Sequence, residues 1–320
     1  MINQGQDNAG LSYKVAAFYS FLEINGEILN AFLQKLREHA NRKNVKGMVL
    51  IACEGINGTI CGSSSSISDV INLIKSDLCI EDLEIKYSFC DKQAFRRFRA
   101  RQKTEIVTMG ISYINTNELT GNYIEPSDWN KYLDDPDVLV IDARNEYEVS
   151  VGTFEGALNP HTDKFSEFPD WVEKTLRPIV DEKKPREIAM FCTGGIRCEK
   201  ATCYLRQEGF EGVTQLHGGI LKYLEEVPIS KSKWNGECFV FDRRVALNHN
   251  LVPGMHRLCN ACGMPLSPED LMKESYIRGV KCHYCVDRFS DDDRARFADR
   301  QKHLDNLIGN DSVNTLSLTP

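Results

Sequence analysis

The sequence predicts a multidomain chain of mixed α+β and α/β class. An α+β unit comes first, a parallel-sheet α/β unit lies in the middle, and a cysteine-rich segment ends the chain. Three observations predict this. Up to about residue 115, segments of strand and helix period follow in the order strand, helix, two strands, helix, strand. From 116 to 230, continuous apolar runs alternate with helical stretches, as in strands buried on both faces of a parallel sheet. From 231 to 320 the apolar periodicity fades and two close cysteine pairs appear.

In the first unit, VAAFYSFL reads as a strand and ILNAFLQKLREHA as an amphipathic helix. GMVLIACEGINGTICG reads as two strands joined at Asn57-Gly58, since both residues tolerate the positive φ of a hairpin turn. A helix near 68–76 and a strand near 83–89 complete β-α-β-β-α-β, the ferredoxin-like order. The segment FRRFRARQKTEIVTMG follows, in which Arg97, Arg99, Arg101 and Lys103 alternate with Phe98 and Ala100. An extended strand places the four cations on one face. Two readings stand: a solvated edge whose charges block unwanted strand pairing, and an RNA contact. The residues alone favour the edge. Glu105 ends the strip and is placed to pair with one of its cations.

The middle unit opens with strand DVLVID, followed by a helix near 166–176 and the buried-strand run EIAMFC. A glycine turn, a helix through Gln207 and a short strand GVTQL complete it. Low-complexity sequence is confined to Ser63–Ser66, and no internal repeat is seen.

Composition narrows the function. The opening MINQGQDNAG is polar, unlike a signal or transit peptide, and no apolar run approaches the ~18 residues that span a bilayer. Twelve cysteines without a secretion signal point to a reducing, cytoplasmic setting, where thiols are catalytic or bind metal. A net charge of -7 argues against indiscriminate polyanion binding, so any RNA contact needs a local basic patch.

The chemistry centres on MFCTGGIRCEKATCYL. Here strand EIAMFC ends at Cys192, turns through Thr193, Gly194, Gly195 and Ile196 to Arg197, and enters a helix near Cys198. Glycines 194 and 195 let backbone amides turn inward, and the helix adds its positive end. A thiol in such a nest is held as thiolate, with Arg197 adding charge. Cysteine phosphatases place five residues between cysteine and arginine. Four stand here, a tighter loop that suits a single sulfur atom carried on Cys192. Cys198 has two readings, a partner that resolves an oxidised or persulfidated Cys192 and a helix–sheet packing residue.

The stretch from Val138 to Tyr223 resembles a rhodanese domain. VIDARNEYEVSVGTFEGALNP is similar to that family's opening motif at Asp142, Arg144, Glu148, Gly152, Gly156, Ala157 and Asn159, and LHGGI to its closing motif. Thr153-Phe154 replaces the usual His-Ile, a departure expected to affect packing. GMVLIACEGINGTICG, KTEIVTMG, CTGGIRCEKA and the C-terminal cysteine pairs occur in this order in the bacterial rhodanese-domain tRNA uridine hydroxylases (TrhO), which the chain resembles over nearly its whole length. The resemblance implies oxygen-dependent conversion of the wobble uridine to 5-hydroxyuridine, with the rhodanese cysteine, here Cys192, required. It implies tRNA as partner, molecular oxygen as co-substrate and an unidentified electron donor, with no membrane and no DNA. The residues themselves show no His-His-carboxylate iron set and no nucleotide-binding glycine fingerprint.

Near the end, Cys259-x2-Cys262 and Cys282-x2-Cys285 are separated by nineteen residues. Four thiolates at this spacing match structural tetrahedral zinc in a ribbon-like segment. His256 and His283 lie close in sequence as substitutes or hydrogen-bond partners, and Cys238 reads as packing. Ser290 followed by three aspartates starts a charged helix. Besides the hydroxylase, two other functions fit: a sulfurtransferase with a persulfide on Cys192, and a non-catalytic zinc-binding adaptor.

Overall fold

The computed structural model describes residues 12–111, 114, 116 and 119–316, with side chains placed up to residue 306. The chain forms two compact units, Met1–Gly254 and Met255–Pro320.

The first unit begins β1 (Tyr13–Phe21), α1 (Gly26–Arg42), β2 (Lys46–Ala52), β3 (Gly55–Gly62), α2 (Ser64–Asp77), β4 (Glu84–Cys90), β5 (Phe98–Gln102). Asn25 caps α1 by accepting the Glu27 N–H, and Ser63 caps α2 by accepting that of Ser66. Leu29, Phe32, Leu33 and Leu36 of α1 and Ile67, Val70, Ile71 and Ile74 of α2 recur at helical spacing and bury one stripe each. They cover one face of a sheet of order β4-β1-β3-β2-β5. The first four strands are antiparallel in the ferredoxin-like arrangement, and β5 adds a parallel fifth beside β2.

The hairpin expected at Asn57-Gly58 turns elsewhere. Ala52 pairs with Gly55, so Cys53 and Glu54 make the turn, and Asn57-Gly58 lies inside central strand β3. Gly58 is there for close packing, because a Cβ would come within 2.7 Å of the Phe18 ring. Asn57 reaches across to donate to the Ile106 carbonyl at 2.9 Å.

Alternation leaves the opposite sheet face uncovered by α1 and α2. Across it, Lys86, Ala17, Thr59, Met48 and Arg99 succeed one another in register. Phe98 and Ala100 point into the helix-covered core, so Arg99 and Arg101 of the cationic strip share the opposite face of β5, while Arg97 and Lys103 flank the strand. Arg37 of α1 donates to the Ala100 carbonyl, occupying an acceptor on the edge strand.

The parallel sheet follows: β6 (Asn122–Ile124), α3 (Pro126–Leu133), β7 (Val138–Asp142), α4 (Glu146–Val149), β8 (Gly152–Phe154), α5 (Phe168–Trp171), α6 (Arg177–Lys183), β9 (Glu187–Phe191), α7 (Ile196–Gln207), β10 (Val213–Leu216), α8 (Gly219–Glu226). Its order is β6-β10-β9-β7, all parallel. Successive residues enter opposite cores: Ile141, Ile188 and Met190 on one side, Val140, Ala189 and Phe191 on the other. The helix expected near 166–176 runs on through a π turn (Val172–Leu176) into α6. Phe154, at the unusual Thr-Phe pair, sits 4.8–5.0 Å from the Phe191, Tyr223 and Trp234 rings, and Thr153 donates to Asp142. The departure is absorbed by packing, as expected.

Residues 231–254 pack with this unit and not with the cysteine-rich one. β11 (Trp234–Gly236) pairs with β8, β12 (Cys238–Phe239) pairs with β13 (Ala246–Leu247), and Cys238 is a core residue. Arg244 binds Asp242 through two hydrogen bonds and Ser88 of β4 through a third.

In the second unit β14 (Arg257–Leu258) and β15 (Pro265–Leu266) form a hairpin, and α9 (Asp291–Leu316) starts at Ser290, whose Oγ accepts the Asp293 N–H. No helix among the described residues is long and apolar enough to cross a membrane.

Candidate active site

Cys192 directly follows β9, with its side chain buried. The loop that follows is fixed from three directions. Gly195, at φ +103°, swings its N–H to within 3.2 Å of the Cys192 sulfur. The first turn of α8 donates Ile220 N–H to the Cys192 carbonyl and Leu221 N–H to that of Thr193. Gly219 has no room for a side chain, since a Cβ would lie 2.4 Å from the Cys192 oxygen. The LHGGI stretch thus clamps the loop.

Arg197 turns back onto Glu148 of α4 in a bidentate pair of 2.6 and 2.8 Å, and Thr193 Oγ1 touches both partners at 3.3 Å. Both charges are buried, and the pair holds the loop closed under Cys192. Beneath it, Arg144 binds Asp142 at 2.6 and 2.8 Å and the carbonyls of Glu148 and Gly152. The acidic and basic residues of the opening motif are therefore a framework that orients the loop.

Burial alone would push the Cys192 thiol up. The Cys198 side-chain hydrogen bond, the Arg197 charge and the backbone N–H groups of Cys198 and Arg197 outweigh it and bring it down to about 6. Burial, then the hydrogen bond to Cys192 and its charge, hold the Cys198 thiol well above its ordinary value. One sulfur is a thiolate at neutral pH and its neighbour remains the donor. Cys203 is buried in α7.

The face of the N-terminal sheet opposite α1 and α2 closes over this loop. The Tyr19 hydroxyl lies against Gly195 and donates to Glu199 at 3.1 Å. Glu199 also accepts from Tyr123, Thr120 and Gln215. The next residue, Lys200, is buried between Glu54 at 2.9 Å and Glu105 at 2.6 Å. Glu105 thus serves α7 and not the cationic strip. Lys86, also buried, reaches from β4 to pair with Glu84 at 3.0 Å. Burial draws its ammonium down, against Glu84 and the charge on Cys192.

This geometry can be set beside known proteins. Residues 13–106 match the UPF0176 acylphosphatase like domain, and residues 125–226 match the Rhodanese-like domain. The tRNA uridine(34) hydroxylase of Prochlorococcus marinus strain SARG is 58% identical over 295 residues, 92% of this chain and 92% of that one. The chain belongs to the tRNA uridine(34) hydroxylase family. The hydroxylases of P. marinus strain NATL1A (53% over 296 residues) and Parasynechococcus marenigrum strain WH8102 (52% over 298) each match 92% of this chain and 93% of their own.

Against this hydroxylase family, the loop residues expected from sequence converge: Cys192, Thr193, Gly194, Gly195, Ile196, Arg197 and Cys198 form one continuous cradle. Arg97, Arg99, Arg101 and Lys103 lie on and beside β5, away from it but on the same side of the sheet, and Arg97, Arg101 and Lys103 are exposed. Tyr19, Lys86 and Glu199 escaped sequence reading. Tyr19 and Glu199 stand 180 positions apart, and no spacing signals their contact.

In the second unit, Cys259, Cys262, Cys282 and Cys285 bring their sulfurs within 4.8 Å of one another, and neither His256 nor His283 joins the group. Three of the sulfur separations run from 3.7 to 4.0 Å. A tetrahedron with Zn–S bonds of ~2.3 Å has edges of about 3.8 Å, so the four sulfurs fit a metal ion. Gly263, at φ +84°, closes the first turn by donating to the Cys259 carbonyl.

Proposed function

We propose that this chain hydroxylates uridine 34 of tRNA at C5, with Cys192 as the reactive sulfur. The observation that carries the reading is a preformed thiolate, held by the loop from Thr193 to Cys198, in a chain 58% identical to a tRNA uridine(34) hydroxylase across 92% of both lengths. The reaction replaces C5–H by C5–OH. One atom of molecular oxygen enters the base and the other leaves as water, with two electrons and two protons drawn from an external reductant.

A thiolate adding to C6 of uracil raises electron density at C5, the carbon that takes oxygen, and leaves when the ring is restored. Cys198 donates to the sulfur before the base arrives. Arg197, paired with Glu148, is a positioning residue that contributes local positive charge. Arg97, Arg99, Arg101 and Lys103 contact tRNA phosphates, a reading supported by the strand face that Arg99 and Arg101 share and by the exposure of Arg97, Arg101 and Lys103. Cys259, Cys262, Cys282 and Cys285 hold one zinc ion in a ribbon-like unit. With four thiolates filling its shell, the metal is structural.

The test is incubation of purified protein, oxygen and a reductant with tRNA lacking the modification, followed by nucleoside mass analysis. Wild type should form 5-hydroxyuridine and Cys192→Ser none, with the fold retained. Near-normal product from the serine variant would sink the assignment. Thiosulfate turnover without 5-hydroxyuridine would instead favour the persulfide carrier.

A further inference from the structure

The peptide that joins Gly194 to Gly195 serves the sulfur, since its N–H lies 3.2 Å from Cys192 Sγ. Its surroundings within the loop do little to fix it. The carbonyls of Cys192, Thr193 and Gly195 each accept a backbone N–H, from Ile220, from Leu221 and from Cys198 with Glu199. The Gly194 carbonyl accepts none among the described residues. A Cβ on Gly194 would meet nothing within 4 Å, and Gly195 stands at φ +103°. A peptide between two glycines turns over at little steric cost, and turning this one would aim its N–H away from the sulfur. The Arg197 and Cys198 N–H groups, which also serve Cys192, are fixed by the first turn of α7.

Tyr19 supplies the missing hold from outside the loop. On the side of Gly195 where a side chain would stand, the three nearest atoms all belong to Tyr19, with its hydroxyl 2.7 Å from the Cβ position. The same hydroxyl donates to Glu199 at 3.1 Å, one turn along α7, so it bridges the loop and the helix. The Tyr19 ring is itself fixed, with Phe21 edge-on at 6.2 Å and the Lys86 ammonium 4.9 Å from its centre. Burial, then the Glu199 charge, holds the phenol well above its ordinary titration range, so it stays a neutral donor.

Tyr19 also belongs to the sheet that carries the cationic strip. Its row continues through Asn57 and Leu50 to Arg101. Three strand spacings of about 4.8 Å put about 14 Å between Tyr19 and Arg101. One sheet face thus carries a cation of the strip and the contact to the Cys192 loop.

We propose that Tyr19 is a positioning residue for the reactive sulfur: packed against Gly195, it keeps the Gly195 N–H on Cys192, so the N-terminal sheet sets the reactivity of a thiol that another portion of the chain carries. The proposal rests on Cys192 as the reactive group of the hydroxylase reading and adds what holds its loop ready.

The experiment is the pH dependence of Cys192 alkylation by iodoacetamide in the full chain, read by peptide mass analysis. Tyr19→Phe keeps the ring and takes the hydroxyl away from Gly195. Cys198, Arg197 with Glu148, and Lys86, the other titratable or charged groups about the sulfur, stay in place. The Cys192 midpoint should rise by roughly one pH unit, the low end of what one hydrogen bond to a charged group contributes. Alkylation at about pH 6 should then slow roughly fivefold, and above about pH 9 the two proteins should react alike. Tyr123→Phe is the control, because it takes a comparable hydrogen bond from Glu199 without touching the Tyr19 contact at Gly195. Its midpoint should match wild type. Placing p-aminophenylalanine at position 19 restores a neutral donor at the same point of the ring and should return the midpoint to wild type, which separates the contact from a general loosening. An unshifted midpoint in Tyr19→Phe, equal shifts in Tyr19→Phe and Tyr123→Phe, or a shift that p-aminophenylalanine leaves in place overturns the proposal. Absence of 5-hydroxyuridine from wild type would fail the hydroxylase reading itself, while the alkylation midpoints still report on Tyr19.

Discussion

Replacing Cys198 with alanine removes the one side-chain hydrogen bond that holds the Cys192 sulfur as a thiolate, while the backbone donors and Arg197 stay in place. A hydrogen bond to a charged group is worth ~1.5–3 kcal/mol, which moves a titration midpoint by about one to two pH units. Starting from about 6, the Cys192 midpoint in Cys198→Ala should therefore lie at about 7 to 8. At pH 7 the thiolate fraction then falls from about nine-tenths to between about a half and a tenth, and alkylation slows by roughly two- to tenfold. Above about pH 9 the two proteins should react alike, since Cys192 is then ionised in both. The assay is the iodoacetamide rate at the peptide containing Cys192, followed by mass analysis from about pH 5 to pH 10. Cys198→Ser keeps a donor in place and should hold a midpoint close to wild type. An alanine variant with an unshifted midpoint would show that the thiolate owes nothing to Cys198, and the account of the pair would fail.

Because the Cys192 midpoint is lowered on folding, from ~8.5 to about 6, its contribution to stability is present above the unfolded value and is lost as pH falls through 6. Denaturant unfolding at a series of pH values should show wild type gaining roughly 3 kcal/mol between about pH 6 and pH 8.5 and Cys192→Ser gaining none of it; parallel curves would refute this. Elemental analysis of tag-free protein should find about one zinc per chain, and a strong chelator should expose residues 255–306 to proteolysis; metal-free protein with that segment protected would count against the site. Changing Arg99 and Arg101 to glutamine should weaken tRNA binding and lower the salt slope by about 0.7 to 0.9 per lost contact, and an unchanged slope with unchanged affinity would return the strip to a strand-edge role.

What could be read from sequence was what local chemistry encodes. The Cys192–Arg197 loop was legible because a strand ending in a thiol, two glycines and an arginine has few other uses, and the four-sulfur cluster because its spacing makes two tight turns. Asn57-Gly58 misled because a glycine needed for a turn and one needed under an aromatic ring look alike in sequence. Residues 231–254 gave no signal of belonging to the parallel-sheet unit, since strands of two or three residues have no measurable period. The contacts of Tyr19 with Gly195 and Glu199 were illegible for a different reason. They arise from packing between segments far apart in sequence, which no spacing records. The arginine of the loop was found, but its work was not, because only the structure shows Glu148 accepting from both Nη1 and Nη2.

Glu199 and Lys200 are neighbours on one helix of the rhodanese-like portion, yet both look outward from it, one to Tyr19 and the other to Glu54 and Glu105. An anion and a cation side by side, each answered by the N-terminal sheet, work like a two-pin plug that seats in one orientation. Excising the rhodanese-like portion would strip Lys200 of both its carboxylates and Glu199 of Tyr19. The boundary between residues 106 and 125 therefore separates two family matches, whereas the compact unit that holds Cys192 spans both sides of it.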